Sequence, residues 1–227
     1  MAAARTGTRN AGFPLLRDTA LSRHLSDEQL AELERFCERV DRGPWATVFR
    51  QGQPAERLYV VGAGTVELRA RPPGRRLYRT VEVVGPGCTF GDEAVLDDED
   101  YRVAARALEP SSLLALSRSA IQRLSKVRPD VALGVVRCSA GCVIKTMRRA
   151  AILTQAPAEV ALRQLLSELA AGRARSNGSV PIRITHTQLA GVLHVSRETV
   201  SRLLGNLAHA GEVELGRGVI RVRPDAA

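Results

Sequence analysis

Two short helical patterns joined by a tight turn, in residues 184–207, constrain the fold of this chain more than any other segment. Thr185 and Gln188 have the spacing of a capping box that begins the first helix, and Ser196 is placed to cap the second. Leucine and valine recur on one side of each pattern, so each helix has a face to bury. Two such helices separated by about three residues are typical of a helix-turn-helix.

The second of these helices carries polar side chains that suit the reading of DNA bases. Arg197, Glu198 and Arg202 share the exposed N-terminal face, and this end of a recognition helix enters the major groove. Arginine forms two hydrogen bonds with guanine, and glutamate accepts one from cytosine, so the triplet has base-reading chemistry. Further side chains are placed to contact phosphates: Thr185, Ser196, Thr199 and, in a C-terminal hairpin, Arg217.

Residues 48–117 show a different pattern, of short apolar runs separated by glycine and proline. Such runs with turn signals about every ten residues predict an antiparallel β-sandwich or barrel. A short helix is expected before them, within residues 21–39, because Ser26 and Gln29 form a second capping box. Its apolar positions are Leu30, Leu33, Phe36 and Cys37.

A long helix is expected between these two regions, from Pro129 to about Ala156. Residues that repeat at alternating spacings of four and three form a coiled-coil seam and predict a homodimer. The alternative is that the seam packs only on the β-rich region. Because the residue before a proline is pushed out of the helical region, the hinge is expected at Ala156–Pro157. The seam positions are Ala132, Val136, Ser139, Val143, Thr146, Ala150 and Leu153.

The composition excludes several classes of protein. With 44% hydrophobic and 25% charged residues among 227, the chain is predicted to be globular. No apolar run approaches the roughly 18 residues that span a bilayer, and no signal-peptide pattern follows MAAARTGTRN. We therefore expect a cytoplasmic protein without a membrane partner. The net charge of +9 favours a polyanionic partner such as double-stranded DNA.

The sequence offers little that resembles catalytic chemistry. It has no nucleophile–base constellation and no glycine-rich P-loop, so we expect no enzymatic activity. The cysteines and histidines lack metal-ligand spacing, and no metal site is expected. Cys138 and Cys142 are four residues apart on the long helix and share a face, which is typical either of a thiol sensor or of two small buried side chains.

The run SRETVSR, from Ser196 to Arg202, resembles the recognition helix of the CRP/FNR (catabolite activator and fumarate-nitrate regulator) family of bacterial transcription factors. The resemblance covers about residues 25–223. It implies a homodimer that reads an inverted repeat with TGTGA-like half-sites through Arg197, Glu198 and Arg202, and that contacts RNA polymerase. His194 departs from the family by standing where a turn glycine is usual, which predicts modest strain.

The runs FRQGQPAERLYVVGAGTVELR and VGPGCTFGDEAVL resemble the family's cyclic-nucleotide-binding β-roll, a jelly roll. The resemblance implies a phosphate-binding cassette that begins at Gly91, with Arg102 pairing with the phosphate and Thr146 meeting the base. Backbone N–H groups near Ala94 would add to the anion site, and Asp92 or Glu93 would accept from the ribose. The implied effector site comprises Gly91, Asp92, Glu93, Ala94, Arg102, Val103 and Thr146.

Three departures weaken the expectation of cAMP as the effector. Val103 replaces a serine or threonine, Asp92 replaces a glutamate, and Met147 stands where a second adenine contact is a serine. We therefore expect weak cAMP binding or none. For Arg102 the alternative to the phosphate contact is an ion pair with the acidic run at 97–100. A regulator controlled by abundance or by cysteine oxidation, without any ligand, is the alternative.

Together the patterns and the resemblance predict an α+β protein in four parts. A flexible tail occupies residues 1–20, and a β-roll effector-sensing domain occupies 21–128. A dimerisation helix follows at 129–156, and a winged helix-turn-helix domain that binds DNA occupies 157–227.

Overall fold

The computed structural model describes residues 20–74, 77–155, 157–171, 173 and 178–223, with the side chains of 145, 149, 150 and 152–155 left out. The predicted flexible tail lies outside this part of the chain, except for Ala20, which begins a 3-10 helix that ends at Arg23. The predicted hinge residue Ala156 also lies outside it. None of the helices described is both long and apolar enough to cross a membrane.

The first α-helix, α1 (Asp27–Glu34), begins at the predicted capping box. The Ser26 hydroxyl accepts from the Gln29 backbone N–H at 3.3 Å, and the Gln29 side chain accepts from the Ser26 N–H at 2.8 Å. The expectation that Phe36 and Cys37 extend this helix is wrong. Cys37 instead begins a strand, because residues 37–42 pair along their whole length with a strand more than seventy residues later.

Two four-stranded antiparallel sheets form the N-terminal domain. The strand orders are β1-β8-β3-β6 and β2-β7-β4-β5, so most neighbours are distant in sequence and the sheets close on each other as a jelly roll. A short helix, α2 (Asp92–Leu96), follows the sixth strand. The strands are β1 (Cys37–Arg42), β2 (Thr47–Phe49), β3 (Arg57–Ala63), β4 (Val66–Ala70), β5 (Arg79–Val84), β6 (Thr89–Phe90), β7 (Ala104–Ala107) and β8 (Ser111–Ser117).

A stack of aromatic rings fills the space beneath α2. The rings of Phe49 and Tyr101 lie 3.7 Å apart between centroids, and Tyr59 and Phe90 extend the stack. Gly91 lies directly on it with φ +71°, and a Cβ there would approach the Tyr101 ring to 3.1 Å. Glycine is therefore required at this position both by its conformation and by the close approach of the rings.

The helices α3 (Arg118–Val127) and α4 (Pro129–Gln155) pack against each other and against the β-roll. The α4 range confirms the predicted long helix. The predicted seam is unevenly exposed in the described chain: Ser139 is only 5% exposed, whereas Val136 and Val143 are exposed. Its role in a dimer stays a prediction. The side chains of Ala150 and Leu153 lie outside the described set. The exposed apolar side chains of α4 are Leu133, Val136, Val143, Ile144 and Met147.

The C-terminal domain packs three helices against a small sheet. Buried leucines of all three helices and apolar residues of the strands form its core. The strand order is β10-β11-β9, and the sequence patterns missed β9 because its three residues gain their partner from β11. The elements are α5 (Ala158–Ala170), β9 (Val180–Ile182), α6 (His186–Leu193), α7 (Arg197–His209), β10 (Val213–Gly216) and β11 (Val219–Val222).

The C-terminal domain is docked on the outer sheet of the β-roll. Val83 and Leu108 of the β-roll are buried in the C-terminal core, and α6 lies against β5. Arg173 reaches from the α5–β9 connection to the β-roll, where it donates to Glu109 at 2.8 Å and to the Gly64 carbonyl at 3.0 Å. The ion pair is almost fully shielded from water, so breaking one partner would leave the other buried and uncompensated.

We predict opposite effects for two glycine-to-alanine changes in this domain. At Gly191 of α6 a Cβ would meet the Thr80 carbonyl oxygen of β5 at 2.9 Å, so Gly191→Ala should destabilise the protein by about 1–3 kcal/mol. At Gly205 of α7 a Cβ meets nothing within 4 Å, so Gly205→Ala should stabilise it by about 0.5–1 kcal/mol. Urea unfolding measures both. Equal stabilisation by the two changes would show that α6 is not held against β5.

Candidate DNA-binding surface and effector cavity

The helix-turn-helix is defined by local caps at both of its helices. Thr185 and Gln188 form the predicted capping box of α6, and Ser196 caps α7 by accepting from the Thr199 N–H at 3.1 Å. Between the helices His194 has φ 55° and ψ 34°, the left-handed conformation that glycine usually supplies at this turn. The departure at His194 therefore leaves the motif intact.

A histidine that the sequence patterns did not single out ties the two helices together. The His186 ring nitrogen Nδ1 lies 2.8 Å from the Ser201 hydroxyl oxygen, and that hydroxyl donates to the Arg197 carbonyl at 3.0 Å. Since the serine proton is used in the second bond, His186 must donate in the first. These two hydrogen bonds fix the position of the α7 N-terminus relative to α6. His186 and Ser201 are fifteen residues apart, so their contact is seen only in the folded structure.

The side chains predicted to read bases lie together in solvent. Arg197, Glu198 and Arg202 are all exposed at the start of α7. The pKa of Glu198 is lowered because its carboxylate accepts from its own backbone N–H and from the Ser196 hydroxyl, with Arg197 adding a positive charge. Glu198 is therefore an ionised acceptor at neutral pH, as contact with a cytosine amino group requires.

The wing borders the same surface. A groove runs between the start of α6, the start of α7 and the β10–β11 turn, and Thr185, Arg197 and Gly218 all line it. Arg217 is exposed at the tip of that turn. Thr199 is half-buried, with its hydroxyl 3.1 Å from that of Ser196, so both hydroxyls serve the helix cap. The arrangement brings cationic and polar groups from three elements onto one face.

The second candidate site is a cavity of about 350 Å³ where the β-roll, α4 and α5 meet. Its walls are mostly apolar, and the DNA-binding domain contributes Glu168 and Leu169 of α5. Sequence patterns could not place these two residues in an effector site, because only the docking of the domains brings them there. The remaining walls come mainly from β5, the turn before β6, and α4.

The structure separates the predicted effector residues into two groups. Asp92, Glu93, Val103 and Thr146 line the cavity. Ala94 and Gly91 do not: Ala94 is buried within α2, and Gly91 lies on the aromatic stack. Arg102 also lies outside the lining.

Arg102 points to the acidic run at 97–100. Its Nε and Nη2 atoms donate to the Glu99 carboxylate at 3.0 and 2.5 Å, and Asp97 lies 3.9 Å away. The side chain is 64% exposed, so this ion pair is screened by water. The ion pair with the acidic run is thus present in the structure described, and the contact of Arg102 with a phosphate stays a prediction.

Two carboxylates of α2 face the cavity. Asp92 accepts from the Thr89 hydroxyl at 3.1 Å. Burial raises the pKa of Glu93, and the neighbouring Asp92 charge raises it further, although the Glu93 carboxylate also accepts from its own backbone N–H. The Glu93 carboxylate thus already accepts a hydrogen bond from a backbone N–H at the start of α2.

Cys138 and Cys142 are in contact on α4, at the inner end of the cavity. The Cys138 thiol donates to Cys142, and the Thr89 backbone N–H donates as well, which lowers the pKa of Cys142 although burial opposes it. The same bond and burial raise the pKa of Cys138. Cys142 lines the cavity with Cys88, whereas Cys138 is buried behind it.

Comparison with known proteins matches the two domains of the chain to two families. Residues 41–127 match the cyclic nucleotide-binding domain family, and residues 161–226 match the Crp-like helix-turn-helix domain family. The chain is 33% identical over 180 residues to the cyclic AMP receptor protein of Thermus thermophilus, covering 79% of this chain and 81% of that protein. It is 29% identical over 198 residues to the CRP-like cAMP-activated global transcriptional regulator of Mycobacterium tuberculosis, covering 84% and 87%.

The fold is also that of FixK2 from Bradyrhizobium japonicum, with a TM-score of 0.69, 22% identity, and coverage of 82% of this chain and 92% of that one. A cyclic nucleotide-binding domain followed by a long helix and a Crp-like helix-turn-helix domain defines a DNA-binding transcription regulator. The chain belongs to the CRP/FNR family, as its matched domains and the Thermus relative show.

We predict that Cys142 is the most reactive thiol of the described chain. Its pKa is lowered to about 6, whereas burial raises the pKa of Cys37 to about 12, so iodoacetamide should label Cys142 first at pH 7. The labelling rate should rise through pH 6 as the thiolate forms. Peptide mass spectrometry across a pH series measures this.

Cys138→Ala provides the control, because it removes the first donor to Cys142. The midpoint of Cys142 labelling should then move up toward about pH 8.5, the value of a free thiol. An unchanged midpoint would mean that Cys138 does not set the state of Cys142.

Proposed function

We propose that this protein is a homodimeric, sequence-specific transcription regulator that reads an inverted repeat with TGTGA-like half-sites. Residues 21–128 would sense a small ligand, 129–156 would form the dimer helix, and 157–227 would bind DNA. The bound dimer would contact RNA polymerase. The observation that carries the proposal is the exposed triplet Arg197, Glu198 and Arg202 at the start of α7. It has base-reading chemistry and lies beside a wing that can hold the phosphate backbone.

The outer face of α4 supports the dimer. Leu133, Val136 and Val143 are each about half exposed, and Met147 more so, which forms an apolar row along the exposed side of α4. A second copy of α4 would remove these side chains from water. Two-fold symmetry then predicts half-sites centred about 34–36 Å apart.

A ligand in the cavity would affect DNA binding by contacting the several parts of the protein that form the cavity walls. The cavity is lined at once by the β-roll, by Thr146 of α4 and by Leu169 of α5, so an occupant contacts the sensor, the dimer helix and the DNA-binding domain. A ligand that fits one arrangement of these parts better than another shifts the population toward it. The matched family and the names of the relatives favour a cyclic nucleotide; the Glu99–Arg102 pair and Val103 favour weak cAMP binding or none.

Control by cysteine oxidation is a second candidate, and the contact between Cys138 and Cys142 favours it. A thiolate beside a second thiol is the arrangement in which a sulfenic acid condenses to a disulfide. Oxidation with hydrogen peroxide, followed by a DNA-binding titration of wild type and Cys142→Ser, separates this control from control by a ligand. Oxidant sensitivity of DNA binding in both proteins would contradict a role for this pair.

We predict that Arg202→Ala weakens binding at one guanine of each half-site. The loss of two hydrogen bonds should cost about 1–3 kcal/mol and relax the preference at that position. Selection from random DNA, followed by titration of the selected site, measures both. Arg123→Ala, an exposed arginine on α3, should change neither. Wild-type affinity and an unchanged half-site in Arg202→Ala would contradict the assigned role.

We predict that Arg217→Ala lowers the salt dependence of binding without changing the selected sequence. Each lost phosphate contact should reduce the slope of log K against log salt by about 0.9, or about 1.8 for a symmetric dimer. The measurement is a titration of one operator at several salt concentrations. A slope equal to that of wild type would place the wing away from the backbone.

A further inference from the structure

We propose that the cavity takes a small, largely apolar molecule that carries no negative charge. The inference rests on the proposed function, in that a ligand at this site would control DNA binding. It goes further by assigning the chemical class of that ligand from the walls of the cavity. A free cyclic nucleotide, with its phosphate charge and polar ribose, lies outside this class.

The size and surface of the cavity fit an apolar small molecule. A volume of about 350 Å³ is at the lower end of the range of small-molecule sites. Valines of β5, Val103 after the cassette and Met147 of α4 contribute apolar side chains to its walls. Val103 is important because it places an apolar surface where the resemblance implied a hydroxyl for a phosphate.

The charges of the walls disfavour an anion. Glu82, Asp92, Glu93 and Glu168 all contribute to the lining, and no Arg, Lys or His is found among the lining residues in the part of the chain that the structure describes. A phosphate placed here would lie beside Asp92 and Glu93 of α2, and like charges repel strongly where water is limited. Arg102, whose charge acts on Glu93, is held by Glu99 and does not line the cavity. A neutral or protonated ligand would not meet this penalty.

The groups that would hold a phosphate are already engaged by acids of the protein. Arg102 is held by Glu99 and lies near Asp97, outside the cavity. The Glu93 carboxylate accepts from its own backbone N–H at the start of α2. Binding an anion would require both sets of bonds to break, whereas an apolar ligand would leave them in place.

One polar group on α4 can orient such a ligand. The Thr146 hydroxyl donates to the Cys142 carbonyl at 3.2 Å, so its oxygen remains able to accept a hydrogen bond. Thr146 lines the cavity, and an N–H or O–H of the ligand directed at it would tie occupancy to the position of α4. We therefore expect a ligand with an apolar ring frame and a hydrogen-bond donor.

Two fluorescent probes with one frame test the charge requirement on the full-length protein. N-phenyl-1-naphthylamine is neutral and has one N–H, and 8-anilino-1-naphthalenesulfonate is its sulfonated analogue. The neutral probe should bind at one site per chain, at least tenfold more tightly than the sulfonate. Millimolar cAMP should not displace it. Failure of the neutral probe to bind, tighter binding of the sulfonate, or displacement by cAMP would each overturn the proposal.

Two pairs of variants locate the probe and isolate the role of charge. Val81→Trp places a bulky side chain at the half-exposed cavity wall and should weaken the neutral probe at least tenfold, whereas Val127→Trp, exposed on α3, should not. Glu93→Gln should tighten the sulfonate several-fold and leave the neutral probe unchanged. Glu56→Gln, at an exposed site outside the lining, should alter neither. Equal responses within either pair would contradict the assigned cavity.

The result of the probe-binding experiments does not depend on whether the protein recognises DNA as proposed. Selection from random DNA tests the proposed regulator without any probe, and absence of an inverted repeat would count against that function alone. If the repeat is recovered while the neutral probe fails to bind, only the ligand class is wrong.

Discussion

The burial of one face of α4 against the β-roll is the interaction on which the other parts of this structure depend. Val131, Val135 and Cys138 are almost fully buried on that face, and Gly134 lets the helix approach Leu25 so closely that a Cβ would overlap it. Because a helix places successive turns on the same side, fixing this face also fixes the rest. Thr146 then lies at the cavity, and the apolar row from Leu133 to Met147 lies in solvent.

Features defined by neighbours in sequence were predictable from the sequence. The capping boxes at Ser26 and Thr185 act over three residues, and each begins its helix where expected. Features that depend on distant partners were not predictable. The helical spacing up to Cys37 gave no sign of the strand Cys37–Arg42, because the partner strand β8 lies far along the chain. The spacing of the α4 seam likewise did not reveal that Ser139 is buried. The shared exposed face of Arg197, Glu198 and Arg202 follows from helical spacing alone, whereas Glu168 and Leu169 join the cavity only through domain docking.

Arg102 illustrates how a residue can occupy a motif position in a different electrostatic setting. Its place eleven residues after Gly91 fits the family's pattern, but pairing depends on which charges lie nearby. The acidic run at 97–100 follows the cassette immediately, and the Arg102 guanidinium forms its ion pair there, with Glu99. A motif specifies residue types and spacing, whereas the charges that compete for a side chain are set by the loops around it. For the same reason the character of the cavity is decided by its carboxylates and valines together.

Under the proposed function, the contribution of α5 to the cavity wall would make the ligand site a shared property of two domains. Leu169 belongs to the DNA-binding domain, so the affinity of a ligand in contact with it would depend on whether that domain is bound to an operator. Binding free energies are reciprocal: if the ligand changes operator affinity by some factor, the operator changes ligand affinity by the same factor. Copies of the protein resting on a promoter would then respond to a different ligand concentration from free copies. The threshold of the sensor would vary with the number and strength of its sites in the genome.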